Sequence, residues 1–119
     1  MYKRRARLLV AAVEDDGRAR MVGDLARQPT LSDWLEVRPA QSMRDLRPAD
    51  LEWADLLVAV DAAAAREFPA KRPVTCRLKR WHLPAAGSPG AEAAAALALH
   101  CMVGGMRMLS RLDADEAEA

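Results

Sequence analysis

The hydrophobic and polar positions of the chain divide it into strand-like and helix-like stretches. The clearest strand patterns are Leu8–Val13 and Leu56–Val60, two runs of consecutive apolar residues that are each followed by acidic residues. Such runs are typical of parallel strands that are buried on both faces of a sheet. Alternating apolar and polar residues predict two further strands, at Trp34–Arg38 and Pro73–Trp81, and we expect both to be more exposed.

Helical patterns follow the predicted strands. In Arg18–Arg27 the apolar residues recur on one helical face, and Pro29 is expected to end this helix. Three further helices are predicted, one beginning at Pro48 and the others spanning Ala62–Phe68 and Ala91–Leu112. The order of strands and helices, with short connections between them, predicts an α/β fold: a three-layer sandwich with a four-stranded parallel sheet.

We expect residues 1–119 to form one domain, with the acidic residues 113–119 as a frayed tail. The apolar residues of the last predicted helix repeat near helical spacing: Leu97, Cys101, Met108 and Leu112. We expect this face to pack in the core, with Cys101 as a core thiol, although Met108 also suits a dimer surface. The Gly104–Gly105 pair predicts either close packing of the helix backbone on the sheet or a kink.

Composition and charge narrow the classes of partner. The chain has 119 residues, is 51% hydrophobic and carries a net charge of +1, which favours no charged partner. The basic run Lys3–Arg7 has no interleaved aromatic residues, and neither cysteine has metal-ligand spacing, so we expect no nucleic-acid site and no zinc site. The apolar runs are too short for a signal peptide or a membrane span, which predicts a cytoplasmic protein without a membrane partner. No cofactor is expected.

The loop between the first strand and the first helix is the candidate ligand site. Gly17 permits a tight turn, and the N-terminus of a helix at the end of a buried strand offers N–H groups to an anion. We therefore assign Asp16, Gly17 and Arg18 as candidate ligand-binding residues. The acidic triplet Glu14–Asp16 opposes phosphate binding, because two like charges about 4 Å apart repel by roughly 1 to 4 kcal/mol. The loop thus has the shape of a phosphate-binding loop without its chemistry.

Three stretches together resemble the low-molecular-weight protein tyrosine phosphatase family, especially its short bacterial members. Leu8–Met21, LLVAAVEDDGRARM, is similar to the apolar strand of the family followed by Cys, five residues and Arg. Ser42–Asp61, SMRDLRPADLEWADLLVAVD, is the most specific match and resembles the family pattern R-x-L-T-x-E-D-L-x-W-A-D-L-I-x-x-M-D. Leu78–Ala86, LKRWHLPAA, stands where the family carries a strand, an apolar-Pro step and Asp-Pro.

The resemblance also shows where this chain departs from the family. It implies that Ala12 occupies the position of the nucleophilic cysteine, Arg18 that of the phosphate-clamping arginine and Ala85 that of the general-acid aspartate. In the family the thiolate attacks phosphorus and the aspartic acid protonates the leaving group, and an alanine can do neither. The resemblance therefore implies the fold without the activity: a catalytically inactive binding or regulatory module that associates with a protein partner or with itself.

Three alternatives stay open at the level of sequence, two for the whole chain and one for Arg18. Response-regulator receiver domains have a similar length, an acidic pair after the first strand and a phosphoacceptor Asp after the third. Asp15, Asp16 and Asp61 stand at comparable positions and together could bind Mg²⁺, although no Lys-Pro of a fifth strand is present. The chain could also be a divergent active phosphatase. Arg18 itself could be a structural residue that pairs with Glu14 or Asp15 at the start of its helix.

Overall fold

Four parallel strands form one sheet in the computed structural model, which describes residues 4–118 and their side chains as far as Leu109. The strands are β1 (Ala6–Ala11), β2 (Leu35–Pro39), β3 (Leu56–Ala59) and β4 (Arg77–Arg80). Their order across the sheet is β2-β1-β3-β4, so the two fully apolar runs form the central pair. The predicted four-stranded parallel α/β sheet is therefore confirmed.

Five helices connect or follow the strands. They are α1 (Arg18–Leu25), α2 (Pro29–Ser32), α3 (Pro48–Trp53), α4 (Ala62–Ala65) and α5 (Ala91–Glu118), with one 3₁₀ turn at Met43–Asp45. α5 is the longest, yet no helix within residues 4–118 combines the length and the apolar character that a membrane crossing requires.

Helices cover both faces of the sheet, because successive residues of the central strands point to opposite sides. Leu8 and Val10 of β1 belong to one core, whereas Leu9 and Ala11 belong to the other. The first core includes residues of α1, α2 and α5, among them Val22, Leu31, Leu99 and Val103. The second core includes residues of α3, α4 and the 3₁₀ turn, among them Met43, Leu51 and Ala64.

Several predicted boundaries are wrong, and proline accounts for two of them. α1 ends at Leu25, before the predicted Arg27, and Pro29 begins the further helix α2, since proline is well suited to the first helical position. The fourth strand does not begin at Pro73: residues 73–76 form a turn in which the Cys76 N–H donates to the Pro73 carbonyl. The strand β4 occupies only the second half of the predicted stretch. In a similar way α4 ends at Ala65, short of the predicted Phe68.

The buried face of α5 also differs from the prediction. The buried residues of α5 are Ala91, Ala95, Leu99 and Val103, while Leu97, Cys101 and Met108 are exposed. The Leu112 side chain lies outside the described part of the structure. Both sets repeat at helical spacing, and Ala95, Leu99 and Val103 of the buried set belong to the first core together with residues of α1 and α2. Cβ atoms added at Gly104 or Gly105 would meet nothing within 4 Å, so this pair does not pack on the sheet.

The C-terminal end of α5 is the last difference. The helix continues through Glu118 instead of ending at Leu112 before a frayed tail. Ala119 lies outside the described residues.

Candidate functional site

The candidate site lies at the carboxyl ends of β1, β3 and β4, where three loops meet. Backbone hydrogen bonds continue across the sheet beyond the strands, from the Val60 N–H to the Ala11 carbonyl (3.1 Å) and from the Leu83 N–H to the Val60 carbonyl (2.9 Å). These bonds place the loop 12–17, the residue Asp61 and the segment 83–86 side by side. In open α/β sheets this edge is where ligands bind.

Arg18 occupies the centre of this edge. It is the first residue of α1, and its side chain is only 12% exposed. Its Nε donates to Asp16 Oδ2 (2.9 Å), its Nη1 to the Leu83 carbonyl (3.0 Å) and its Nη2 to Asp61 Oδ2 (2.7 Å). We call this group the Arg18 cluster: Arg18, Asp16, Asp61 and the Leu83 carbonyl. Each of the three guanidinium nitrogens therefore has a partner within the chain.

Asp61 has two roles in the cluster. It directly follows the second central strand, and its Oδ1 accepts the Ala64 N–H (2.8 Å), which makes it the N-cap of α4. Its other oxygen accepts from Arg18. Asp61 thereby joins the helix after β3 to the helix after β1.

Asp16 holds the same arginine from the opposite side. Its Oδ1 accepts the backbone N–H of Arg18 (3.1 Å) and its Oδ2 accepts from the side chain, so one carboxylate fixes both the start of α1 and the guanidinium. Gly17 lies between them with φ 91°, a left-handed conformation that favours glycine. The tight turn predicted at Gly17 is confirmed, and it is what lets the Asp16 side chain reach Arg18.

The electrostatics of the site follow from these contacts. Partial burial alone would raise the pKa of Asp16, but hydrogen bonds from Arg18 outweigh it and lower the pKa below its usual range. The pKa of Asp61 is lowered in the same way: burial opposes the shift, while the Ala64 N–H and Arg18 favour the ionised carboxylate. The hydrogen bond to Asp16 raises the pKa of Arg18. The side chains of Asp16, Arg18 and Asp61 are therefore all charged at neutral pH, and the guanidinium is in direct contact with both carboxylates.

The two positions that the resemblance assigns to catalysis carry no reactive group. Ala12 directly follows β1, is 3% exposed, and its carbonyl accepts the Met43 N–H (2.8 Å). Ala85 is exposed in the loop after β4, and its neighbour Ala86 lies beside the first loop, 3.5 Å from a Cβ built on Gly17. The structure thus brings both positions to the edge that holds Arg18, but a methyl group stands at each.

The proposed carboxylate set for Mg²⁺ is only partly assembled. Asp16 and Asp61 both contact Arg18 Nη2 at 2.7 Å, so a guanidinium lies between them at the place where a cation would bind. Asp15 is exposed, and Arg18 pairs with Asp16 and Asp61, not with Asp15 or Glu14 as the structural alternative had it. Among the side chains that the structure describes, which end at Leu109, no group of three or more His, Cys, Asp or Glu residues could hold a metal ion.

Sequence reasoning missed the contacts of Arg18 with Asp16, Asp61 and the Leu83 carbonyl, and it missed that Asp61 caps α4. The capping role of Asp61 had a signal, because Asp immediately before an alanine-rich helix is a preferred N-cap. The Leu83 carbonyl had no signal, since a backbone acceptor depends on how the chain returns to the sheet and not on which side chain it carries.

No protein-family model and no curated protein matches the chain. The arrangement of Arg18, Asp16 and Asp61 is therefore the basis on which a function can be assigned.

Proposed function

We propose that this chain is a catalytically inactive domain with the scaffold of the low-molecular-weight protein tyrosine phosphatases, acting as a binding or regulatory module. The positions that carry the resemblance support this. Ala12 and Arg18 bracket the loop between β1 and α1, and Ala85, far away in sequence in the loop after β4, lies at the same carboxyl edge of the sheet. If these three positions correspond to the phosphate site of the family, they have to lie close together at one edge of the sheet.

The absence of activity follows from the side chains at two of these positions. Phosphoryl transfer through a covalent intermediate needs a nucleophile, and release of the leaving group needs a proton donor. Alanine supplies neither at position 12 nor at position 85. Cys76 does not substitute for the nucleophile, since it is 2% exposed in the second core and burial raises the pKa of its thiol.

One observation carries the proposal: the guanidinium of Arg18 is closed by partners from its own chain. A phosphate dianion would have to displace two carboxylates, and the displaced charges would then stand beside the incoming anion. The Arg18 cluster therefore holds three loops together instead of clamping a substrate. In the proposed role this edge of the sheet has a structural function and no catalytic one.

Hydrolysis of an aryl phosphate tests the proposal. We compare the wild type, the variant Arg18→Gln and the doubly restored variant Ala12→Cys/Ala85→Asp. We expect the wild type to hydrolyse the ester no faster than Arg18→Gln or buffer. Turnover by the wild type that is lost in Arg18→Gln, or that equals the rate of the restored variant, would contradict the proposal and favour a divergent phosphatase.

Thermal melting separates the remaining alternatives. The wild type is heated with phosphate or tungstate, with Mg²⁺ alone, and with Mg²⁺ plus beryllofluoride. A ligand present at about 100 times its dissociation constant stabilises the folded state by roughly 2.7 kcal/mol, which is several degrees for a domain of this size. We expect no shift with any addition. A shift that requires Mg²⁺ and is lost in Asp61→Asn would overturn the proposal in favour of a receiver-like domain.

A further inference from the structure

The strand β4 lies at one end of the sheet, and one of its sides has no neighbouring strand among the described residues. The N–H groups of Arg77 and Trp81 donate to carbonyls just before and at the end of β3 (3.0 and 2.8 Å). Because the backbone groups of successive strand residues point to opposite sides, the N–H and C=O groups of Leu78 and Arg80 face outward. We call this outward side of Arg77–Arg80, with its side chains, the β4 edge.

The segment that leads into β4 and forms it carries a large excess of basic residues. Residues 66–80 contain six of the 18 Lys and Arg residues of the chain and one of the 17 Asp and Glu residues. The six cations are exposed, and none forms an ion pair among the side chains that the structure describes: Arg66, Lys71, Arg72, Arg77, Lys79 and Arg80. The one acid, Glu67, is paired with Arg44 (3.1 Å), and the carboxylate of Asp55, before β3, is paired with Arg4 (2.6 Å). The positive charge of this segment is therefore not compensated locally.

A groove of about 460 Å³ lies between β4 and α5. Its border on the strand side is basic, with Lys79 and Arg80. Much of the remaining lining is apolar and includes Trp81 and Leu83 of the first core and Ala98 of α5. No residue that lines the groove is acidic. The groove can therefore accept an apolar side chain close to a negatively charged one.

We propose that the β4 edge binds an extended acidic polypeptide segment of a partner protein, which adds to the sheet as a fifth strand. The inference rests on the proposed function, because it names the class of partner that the binding module takes. The outward N–H and C=O groups of Leu78 and Arg80 form the backbone hydrogen bonds of the added strand. Every second side chain of the segment points towards the groove, and its carboxylates meet the uncompensated cations.

Charge and backbone geometry together select this occupant over two others. A second copy of the chain would place β4 against β4, and like charges on opposite strands are destabilising. A nucleic acid would meet the cations, but it has no row of amide groups to pair with the strand. A polypeptide strand matches both features, since its backbone repeats at about 3.3 Å per residue. Lys and Arg on an edge strand also discourage pairing with uncharged strands, so the β4 edge selects its partner by charge.

Fluorescence anisotropy with the full chain is the first test. The probe is a labelled short peptide of alternating Glu and Val. The control is the same peptide with every backbone nitrogen methylated, which keeps the charges but has no N–H to donate. We expect the probe to bind and the methylated peptide to bind at least roughly tenfold more weakly. No binding of the probe, or equal binding of the two peptides, would overturn the proposal. Tighter binding of a thymidine oligonucleotide at the same ionic strength would overturn it in favour of a nucleic-acid surface.

Two substitutions at Arg80 separate its charge from its backbone. Arg80→Gln keeps the outward N–H and loses the charge, whereas Arg80→Pro loses both, and proline is tolerated on an edge strand where the N–H faces outward. We expect Arg80→Gln to weaken binding of the probe and Arg80→Pro to weaken it further. Arg20→Gln, an exposed change on α1, is the matched charge control and should bind like the wild type. Equal affinities of Arg80→Gln and Arg20→Gln, or of Arg80→Gln and a folded Arg80→Pro, would overturn the proposal.

Amide hydrogen exchange locates the added strand. We expect saturating probe to slow the exchange of the Leu78 and Arg80 N–H groups at least roughly tenfold, because the probe bonds to them. The Lys79 N–H, which faces β3, should change less. Binding of the probe without protection of Leu78 and Arg80 would show that it does not pair with β4 and would overturn the inference.

These experiments leave the Arg18 cluster untouched. Failure of the probe to bind an inactive wild type would therefore reject the β4 inference alone, whereas aryl phosphatase activity would reject the proposed function, whatever the affinity for the probe.

Discussion

The Nη2 atom of Arg18 lies 2.7 Å from Oδ2 of Asp61, and this contact joins the first residue of α1 to the residue that caps α4. It stabilises the carboxyl edge of the central strand pair. At the amino edge Asp55 plays the corresponding part, since its carboxylate accepts from the Arg7 N–H (2.9 Å) and from the Arg4 guanidinium. An ion pair therefore lies at each end of the paired strands β1 and β3.

Removing Arg18 should destabilise the fold. The variant Arg18→Gln leaves the exposed Asp16 carboxylate and the half-buried Asp61 carboxylate beside each other without a cation, and we expect a loss of about 1 to 3 kcal/mol in the free energy of unfolding. Urea denaturation measures this loss. Arg20→Gln, an exposed change on the same helix, is the control and should stay within about 0.5 kcal/mol of the wild type. Equal stabilities of the two variants would show that the Arg18 cluster is not structural.

Two substitutions at Asp61 separate its charge from its capping role. Asn keeps an oxygen for the Ala64 N–H but loses the ion pair, whereas Ala loses both. We expect Asp61→Ala to be less stable than Asp61→Asn by about 1 kcal/mol, the usual contribution of an N-cap. Thermal melts of the two variants check this, and the reverse order would mean that α4 does not depend on the cap.

Stability should fall in acid because of the same carboxylates. The folded-state pKa values of Asp16 and Asp61 are lowered, so these groups stabilise the fold fully above the unfolded Asp pKa of about 3.9. That stability is lost as the pH falls through their lower folded-state values. Acid titration followed by circular dichroism should show that Arg18→Gln loses less stability than the wild type as the pH falls. The reason is that this variant lacks the guanidinium that lowers the two Asp pKa values. Identical acid transitions of the wild type and Arg18→Gln would contradict the view that Arg18 lowers the pKa values of Asp16 and Asp61.

Gly17 should not tolerate a side chain. Its φ of 91° is left-handed, and we expect Gly17→Ala to cost about 1 to 2 kcal/mol although the nearest atom, Ala86 Cβ, is at an ordinary contact distance. Gly105→Ala is the comparison: it lies within α5 in open space, and alanine there should stabilise by up to about 1 kcal/mol. Chemical denaturation of both variants should therefore show shifts of opposite sign.

Opening the Arg18 cluster should restore an anion site. In Asp16→Asn/Asp61→Asn the guanidinium keeps its position but loses both anionic partners, and the cap of α4 is retained by Asn. We expect tungstate or phosphate to raise the melting temperature of this variant by several degrees and to leave the wild type unchanged. Adding Arg18→Gln to the double variant should abolish the shift. An equal shift in the wild type would show that the carboxylates do not close the site.

Local patterns predicted the framework of this protein correctly. The apolar runs of β1 and β3 identified the central strands to within two residues at each end, because a strand buried on both faces has no polar alternative. The start of α3 at Pro48 and the start of α5 at Ala91 also agree with the structure. The alternation of strands and helices was sufficient to predict a parallel sheet.

The face of α5 could not be predicted in the same way. Two sets of apolar residues, one including Leu99 and one including Leu97, repeat at equally good helical spacing. Packing decides between them, because the buried set shares the first core with residues that are far away in sequence, such as Leu8 of β1 and Val22 of α1. The prediction that Cys101 is a buried core thiol is wrong for this reason, since Cys101 is exposed.

The sequence by itself determined the sheet, its central strands and the absence of a nucleophile and an acid at positions 12 and 85. What Arg18 does was decided only by the tertiary structure. Its sequence neighbours offered three carboxylates, but its contacts are with one of them, with Asp61 and with the Leu83 carbonyl. The physical reason is that a guanidinium bonds to whichever acceptors the folded backbone places in its plane, and here the loops after β3 and β4 supply two of the three.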